Sequence, residues 1–315
     1  MKRNELPQTG AETAASSGIS ASALPAAIGR KGQGKRMKRA FFTYSNTIAL
    51  TVLSLIVLCS LASPWLSPYD PIHIEMSNRL APISSEHLLG TDTLGRDVFS
   101  RLLHGGRITI VLALAVTAAT LLIGLIIGTI SGYFGGWVDD AIQGIIQIFQ
   151  GLPGLSLMIA IAGTLGPGVK SIFIALVLTS WADFSRVVRG EAMKLREEAY
   201  IEGIRVLGAG HGYIVARHIV PNMLGPLIVL FTVRVGRVML SVASLSFLGL
   251  GLQPPAPDWG VMINDARPYF RSYFHLIAAP GLCIAAVSLC VNWLGDGLRD
   301  WLDTKESKPE SLLRL

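Results

Sequence analysis

Few residues in this 315-residue chain could do chemistry, and most of them do not gather. Cys59, Cys283 and Cys290 lie inside apolar runs. Cys283 and Cys290 are seven apart, hence on one helical face, but two thiols in lipid-like surroundings fall short of a four-ligand zinc site. They read as small packing residues. His73, His87, His104 and His275 are scattered through connecting segments and form no ligand set. Gly29-Arg30-Lys31-Gly32-Gln33-Gly34-Lys35-Arg36 approaches the phosphate-cradling pattern GxxxxGK[ST]. However, Arg36 stands where the magnesium-binding hydroxyl belongs, and no strand leads into it. A membrane enzyme would need His, Asp, Glu or Ser clustered at one depth, and the apolar runs lack that cluster. No catalytic residue, resident metal or cofactor is therefore expected.

The exceptions are charges where charge is costly. Arg234 and Arg237 lie in the middle of an apolar run, three residues apart and so on one helical face. An arginine at the bilayer centre costs at least about 2.5 kcal/mol. The pair should face a subunit interface or a wet pathway rather than lipid. Asp183, in the preceding apolar run but nearer its cytoplasmic end, is the available counter-charge. Two readings stay open: a translocation path, or a structural ion pair with the long side chains snorkelling.

These groups need a scaffold of membrane spans. Hydrophobic residues make up 51% of the chain and charged ones only 15%, against about 25% in a soluble domain. No Asp, Glu, Lys or Arg occurs in the 31 residues between Arg107 and Asp139, the 29 between Asp140 and Lys170, or the 24 between Arg271 and Asp296. A bilayer core of about 30 Å takes about 20 helical residues. Spans are predicted at 46–66, 108–131, 141–163, 170–188, 222–245 and 275–296, giving an all-α polytopic membrane protein. With the N-terminus inside, the inner segments carry 18 Lys and Arg and the outer ones seven, so both termini are cytoplasmic. The net charge of +6 comes largely from eight basic residues ahead of the first span, which suit anionic headgroups and not nucleic acid.

The predicted organisation is a disordered basic tail (1–45), a first span (46–66), an extracytoplasmic segment (67–107), a five-helix core (108–298) and a cytoplasmic tail (299–315). Ser60-Leu61-Ala62 vaguely resembles a signal-peptidase site. The long basic lead and the length of the apolar run favour an uncleaved anchor.

One cytoplasmic loop, 190–221, stands apart. Met193, Tyr200, Ile204 and Leu207 fall on one face at helical spacing, with Glu197, Glu198, Glu202 and Arg205 largely elsewhere. Gly208, Gly210 and Gly212 should break this helix, and a second amphipathic stretch runs to Pro221. Two short helices at an angle suit docking into a partner's groove; a helix pair lying in the headgroups is the alternative.

The loop resembles the coupling loop of binding-protein-dependent transport permeases, whose pattern runs EAA, three residues, Gly, nine residues, then I-x-L-P. Glu202-Gly203-Ile204 stands at EAA, Gly208 at the glycine and His218-Ile219-Val220-Pro221 at the end. Gly203 and Ile204 replace alanines, His218 an Ile and Val220 a Leu. Further segments resemble the peptide and nickel permeases in the same order: His87 to Asp97, Gly132 to Asp139, Leu245 to Pro255 and Leu294 to Asp300. Together they cover about residues 45–304.

The resemblance implies a type I ABC importer permease of the inner membrane. Such a chain pairs with a second homologous permease, sits on two cytoplasmic ATPases that do the hydrolysis, and receives substrate from an extracytoplasmic binding protein. It implies coupling roles for Glu198, Tyr200, Glu202, Gly203, Ile204, Leu207, Gly208 and Pro221, with Asp183, Arg234 and Arg237 as path candidates. Many peptide permeases of this type carry a Glu near Val242, which this chain lacks. Its Met239–Val242 and Trp259–Arg267 segments look closer to nickel permeases, a lean toward metal chelates over di- or oligopeptides. The rival class is a secondary transporter, which usually shows inverted repeats with paired broken helices. Gly151-Leu152-Pro153-Gly154 interrupts one span, and no second half matches it.

Overall fold

The computed structural model describes residues 43–306, the last four (303–306) as backbone only. The basic tail up to residue 42, with its glycine-rich Gly29–Arg36 segment, and residues 307–315 lie outside the described residues. The described chain is nearly all helical; its only β feature is an isolated bridge between Thr91 and Asp97.

Helix α1 (Tyr44–Leu61) is followed at once by a single turn, α2 (Ser63–Leu66), with Pro64 at its start. Proline supplies no N–H and is best tolerated in a first turn, the place that Pro64 takes. After an irregular segment comes α3 (Val98–Phe134), whose first turn is capped by Asp97 accepting from the Ser100 N–H at 2.7 Å. This helix begins well before the predicted span, since Asp97 fixes its start outside the apolar run.

The predicted third span is two helices, α4 (Gly136–Gly151) and α5 (Gly154–Leu165), bent by 86°. The break falls at Leu152–Pro153, where Leu152 is extended (φ −92°, ψ 140°), as a pre-proline residue prefers; α9 and α11 carry Pro226 and Pro280 without breaking. Helix α6 (Val169–Arg196) follows, then α7 (Ala199–Val206) and the single turn α8 (His211–Ile214). A π turn at Val215–Ile219 leads without interruption into α9 (Val220–Phe247). The wide turn lies over the Arg217 carbonyl, the acceptor that Pro221 leaves without its usual donor. Helix α10 (Trp259–Ala266) and the long α11 (His275–Glu306) complete the fold.

Five helices are long and apolar enough to cross a bilayer, and the bent pair adds a sixth crossing. Its two ends lie at opposite faces. Gly135, before α4, adjoins Arg196, whose Nη1 donates to the Tyr133 carbonyl at 3.1 Å. Gly168, after α5, donates its N–H to the Leu250 carbonyl at 3.2 Å, beyond the far end of α9.

The most extensive contact joins α3 and α6. Gly124, Gly128 and Gly132 recur every four residues and form the side of α3 that meets α6. A Cβ on Gly128 would come within 2.5 Å of the Ser185 carbonyl oxygen and 2.7 Å of the Val188 Cβ; one on Gly132 would come within 2.5 Å of the Arg189 carbonyl oxygen. Lipid tails are as apolar as leucine, so helices associate in a bilayer through close contact, which small residues permit. One apolar cluster fills the middle and outer part (Val116, Leu176, Met239, Trp259). A second lies at the cytoplasmic end (Tyr133, Val188, Ile201, Ile214, Met223).

Gly128→Leu should therefore wedge α3 from α6 and cost about 1–3 kcal/mol, read as a lower melting temperature of the detergent-solubilised protein. Gly144→Leu is the control, since nothing lies within 4 Å of a Cβ there.

Candidate functional site

The cytoplasmic loop is built by α6, which ends at Arg196, and by α7, which turns back against it. Glu198 is extended (φ −67°, ψ 134°) and its carbonyl accepts the Ile201 N–H at 2.9 Å, starting α7. The helix closes with paired bonds from the Gly208 N–H to the Arg205 carbonyl (3.0 Å) and from the Ala209 N–H to the Ile204 carbonyl (3.3 Å). This closure needs a left-handed residue, and Gly208 has φ +86°. Ile201 is fully buried and, with Ile204 and Ala209 beside it, packs α7 into the cytoplasmic cluster of α3, α6 and α9. Tyr133 ties the cluster to the second helical stretch through its hydroxyl and His211 Nδ1 at 3.0 Å.

The residue that α7 buries most deeply stands outside the apolar face read from spacing. Met193 belongs to α6, a separate helix, while Tyr200 is 44% exposed and Leu207 87% exposed. The inward residue is Ile201, one position on from Tyr200, because the chain breaks at Glu197–Glu198 and restarts the helical phase. Gly208 ends the helix and Gly210 begins the next, but Gly212 lies inside α8. Glu198, Glu202 and Gly203 are exposed, Ile204 is half-buried, and exposed Pro221 starts the long α9. Val206 (82% exposed) and Leu207 thus form an apolar tip that the described residues leave uncovered.

Deeper in the membrane, Arg234 Nη1 meets Asp183 Oδ2 at 2.7 Å. Both lie near the middle of their helices, so Asp183 stands level with Arg234 rather than towards the cytoplasm. Gln150, just before the break in the third crossing, donates to Asp183 Oδ1 at 3.2 Å. The Phe184 ring lies 5.3 Å from the Arg234 guanidinium carbon. These residues, with Arg186, Arg237 and Ser241, line an open cleft of ≈ 470 Å³ between the bent pair, α6 and α9. The sequence brought Asp183, Arg234 and Arg237 under suspicion, and the fold places all three in this cleft. Gln150 was missed because its partner Asp183 lies 33 residues away on another helix.

Two other polar clusters also escaped the spacing argument. At the cytoplasmic end, Arg189 Nε donates to Asp139 Oδ1 at 2.6 Å, and Ser131 shares the same oxygen, joining α3, α4 and α6. On the outer side, buried Arg96 and Arg101 converge on Asp92 (2.6 and 3.3 Å), with Asp265 alongside Arg96 at 3.4 Å. Burial pushes the Asp265 carboxyl above its usual range, and the two guanidiniums oppose that shift. Asp258, fully buried, accepts from the Thr109 and Ser246 hydroxyls and the Gly260 N–H, though burial still raises its pKa. These bonds lock the 87–97, 245–255 and 259–267 segments into one extracytoplasmic cap. His87 serves it through Asp97 at 3.0 Å, and His104 bonds the Ser100 carbonyl. Among the described residues, no three of His, Cys, Asp and Glu converge as a metal would require.

A bundle of five long helices and one broken crossing, with a cytoplasmic helix pinned beneath it, is the architecture of an importer's membrane subunit. The chain belongs to the binding-protein-dependent transport system inner membrane components, whose family model matches residues 124–308. It is 39% identical to the nickel transport system permease protein NikC of Escherichia coli K12 over 260 residues, 82% of this chain and 94% of that protein. It is 38% identical to the dipeptide transport system permease protein DppC of Alkalihalophilus pseudofirmus (82% and 85% covered). To the glutathione transport system permease protein GsiD of Pectobacterium atrosepticum it is 41% identical (81% and 85% covered). It is thus an inner-membrane permease subunit of an ABC importer and not an enzyme, which removes the secondary transporter.

Gly208→Pro deletes the N–H that closes α7 and imposes φ near −65°. Membrane insertion should stay normal while uptake is abolished; wild-type uptake would show that the turn at α7 has no part in transport. Asp183→Asn should cost only on the order of 1 kcal/mol, since the Asp183 side chain is 42% exposed in the cleft. A thermal-shift measurement on the solubilised protein checks this.

Proposed function

We propose that the chain is one of two homologous permeases forming the translocation path of an ATP-driven importer, coupled to two ATPase subunits through loop 190–221. An extracytoplasmic binding protein would deliver a di- or oligopeptide or a metal chelate, with nickel chelates favoured by the Met239–Val242 and Trp259–Arg267 segments. NikC, DppC and GsiD are named for nickel, dipeptide and glutathione transport, so relatives of similar identity span all three chemistries.

The observation that carries this reading is the construction of α7. Its inner side is anchored by Ile201 to the ends of the spans, and its tip presents Val206 and Leu207 outward. Two exposed apolar residues on a rigid support suit a protein groove, with Glu198, Tyr200, Glu202 and Gly203 around them. Burying them in headgroups would leave the anchoring without a use. Any displacement of α7 by an ATPase passes directly into α6 and α9. Those two helices are clamped by Asp183 and Arg234 across the cleft, so the path walls move with the loop. Net transport then requires substrate affinity to differ between the two facing states.

Copurification in mild detergent with the tagged chain should recover a second permease and an ATPase. A Val206→Asp/Leu207→Asp chain should insert and melt as wild type, because surface changes stay within about 0.5 kcal/mol. It should lose at least about 30-fold in ATPase recovery, the weight of an apolar hot spot of about 2 kcal/mol. Undiminished recovery would leave the tip without a docking role and favour the headgroup-lying loop.

A further inference from the structure

The cleft has a charge imbalance that its internal ion pair does not remove. Four ionisable side chains line it: Asp183, Arg186, Arg234 and Arg237. Asp183 satisfies Arg234. Arg186 and Arg237 are exposed, and neither guanidinium has an acidic partner among the described residues. Arg237 is one turn from Arg234 on the same side of α9, and Arg186 is one turn beyond Asp183 on α6. Gln150, Thr179, Ser180 and Ser241 add neutral polar groups to the walls. Two uncompensated guanidiniums facing hydrocarbon would each cost several kcal/mol, which water, an anion or an acidic group of a second permease would relieve.

Resting on the reading of this chain as half of a translocation path, we propose that the cleft is an anion-binding station for solutes bearing carboxylate groups. A carboxylate is bound bidentately by a guanidinium fork. Arg237 is the receiving group and Arg186 a second cationic wall. Arg234, already paired, is the positioning residue that holds Asp183 away from the arriving anion. The carboxylates come from one of two sources: the C-terminus and acidic side chains of a peptide, or the carboxylate ligands of a metal chelate. With three arginines against one aspartate the cleft carries net positive charge, and a charged cleft with low-dielectric walls concentrates the opposite ion by roughly tenfold or more.

The test uses the whole importer, with its second permease, ATPases and binding protein, in proteoliposomes. Ser241→Cys is introduced after Cys59, Cys283 and Cys290 are changed to alanine, leaving one thiol in this chain. Its labelling by anionic (sulfonatoethyl) and cationic (trimethylammonioethyl) methanethiosulfonates is compared, each rate divided by that reagent's rate with a free thiol. The expected result is an anion preference of roughly tenfold. It should fall severalfold when Arg237→Gln is added and shrink at 1 M salt, where the Debye length is about 3 Å. No preference, a cation preference or an unreactive thiol at position 241 would overturn the station; an unreactive site would assign Arg237 to an ion pair with the second permease. Uptake then separates the sources: a labelled tripeptide against its C-terminal amide, and citrate-bound against unchelated nickel. Preference for the carboxylate form in either pair, reduced by Arg237→Gln, supports the station and names its source. Indifference in both pairs overturns it. The importer reading stands or falls separately, on whether the binding protein stimulates ATP hydrolysis by the wild-type complex.

Discussion

The arrangement rests on the close approach of α3 to α6 along Gly124, Gly128 and Gly132. In a bilayer no difference in hydrophobicity drives one apolar helix onto another, so contact distance decides which helices stay together. Removing three side chains from one face of α3 brings its backbone against Ser185, Val188 and Arg189. Once α6 is fixed, everything it carries is fixed as well. Asp183 is set at the level of Arg234, Arg189 is set against Asp139, and Arg196 is set over the end of α3. The cytoplasmic helix α7 then starts from a defined point.

Polar groups in this membrane protein do two kinds of work, separated by depth. At both ends they join segments. The Asp139–Arg189 pair with Ser131 holds the start of α4 to α3 and α6, and the Asp92, Asp258 and Asp265 clusters hold the outer cap. These are dense and internally matched. In the middle, the cleft is the opposite: open, and lined by three arginines against one aspartate. A structural ion pair alone would account for Asp183 and Arg234. It does not account for Arg237, which is exposed in the same cleft and raises the cost of keeping it there.

The broken third crossing forms one wall of the cleft. Its two helices meet at 86°, and Phe149, Gln150, Leu152, Gly154 and Met158 from either side of the break line the space opposite α6 and α9. Gln150, in the turn before the break, donates to Asp183.

Much of this was legible in the sequence because membranes impose one-dimensional rules. Span number, orientation from the Lys and Arg bias and the out-of-place charges all follow from run lengths and local spacing, whereas the coupling loop was read from a family resemblance. What those rules omit is phase and proximity. The burial of Ile201 was not legible because the spacing argument carried one helix through Glu197–Glu198, where the chain breaks and begins again. Asp139 meets Arg189 50 residues away, Asp258 meets Thr109 149 residues away and Asp265 meets Arg96 169 residues away, at separations no periodicity encodes. Which segments enter the bilayer and which charges resist doing so can be read one residue at a time, since transfer energies belong to each residue. Which of those charges meet and which face an open cleft cannot, because that depends on how closely glycine lets two helices approach and on how the two halves of the third crossing are set.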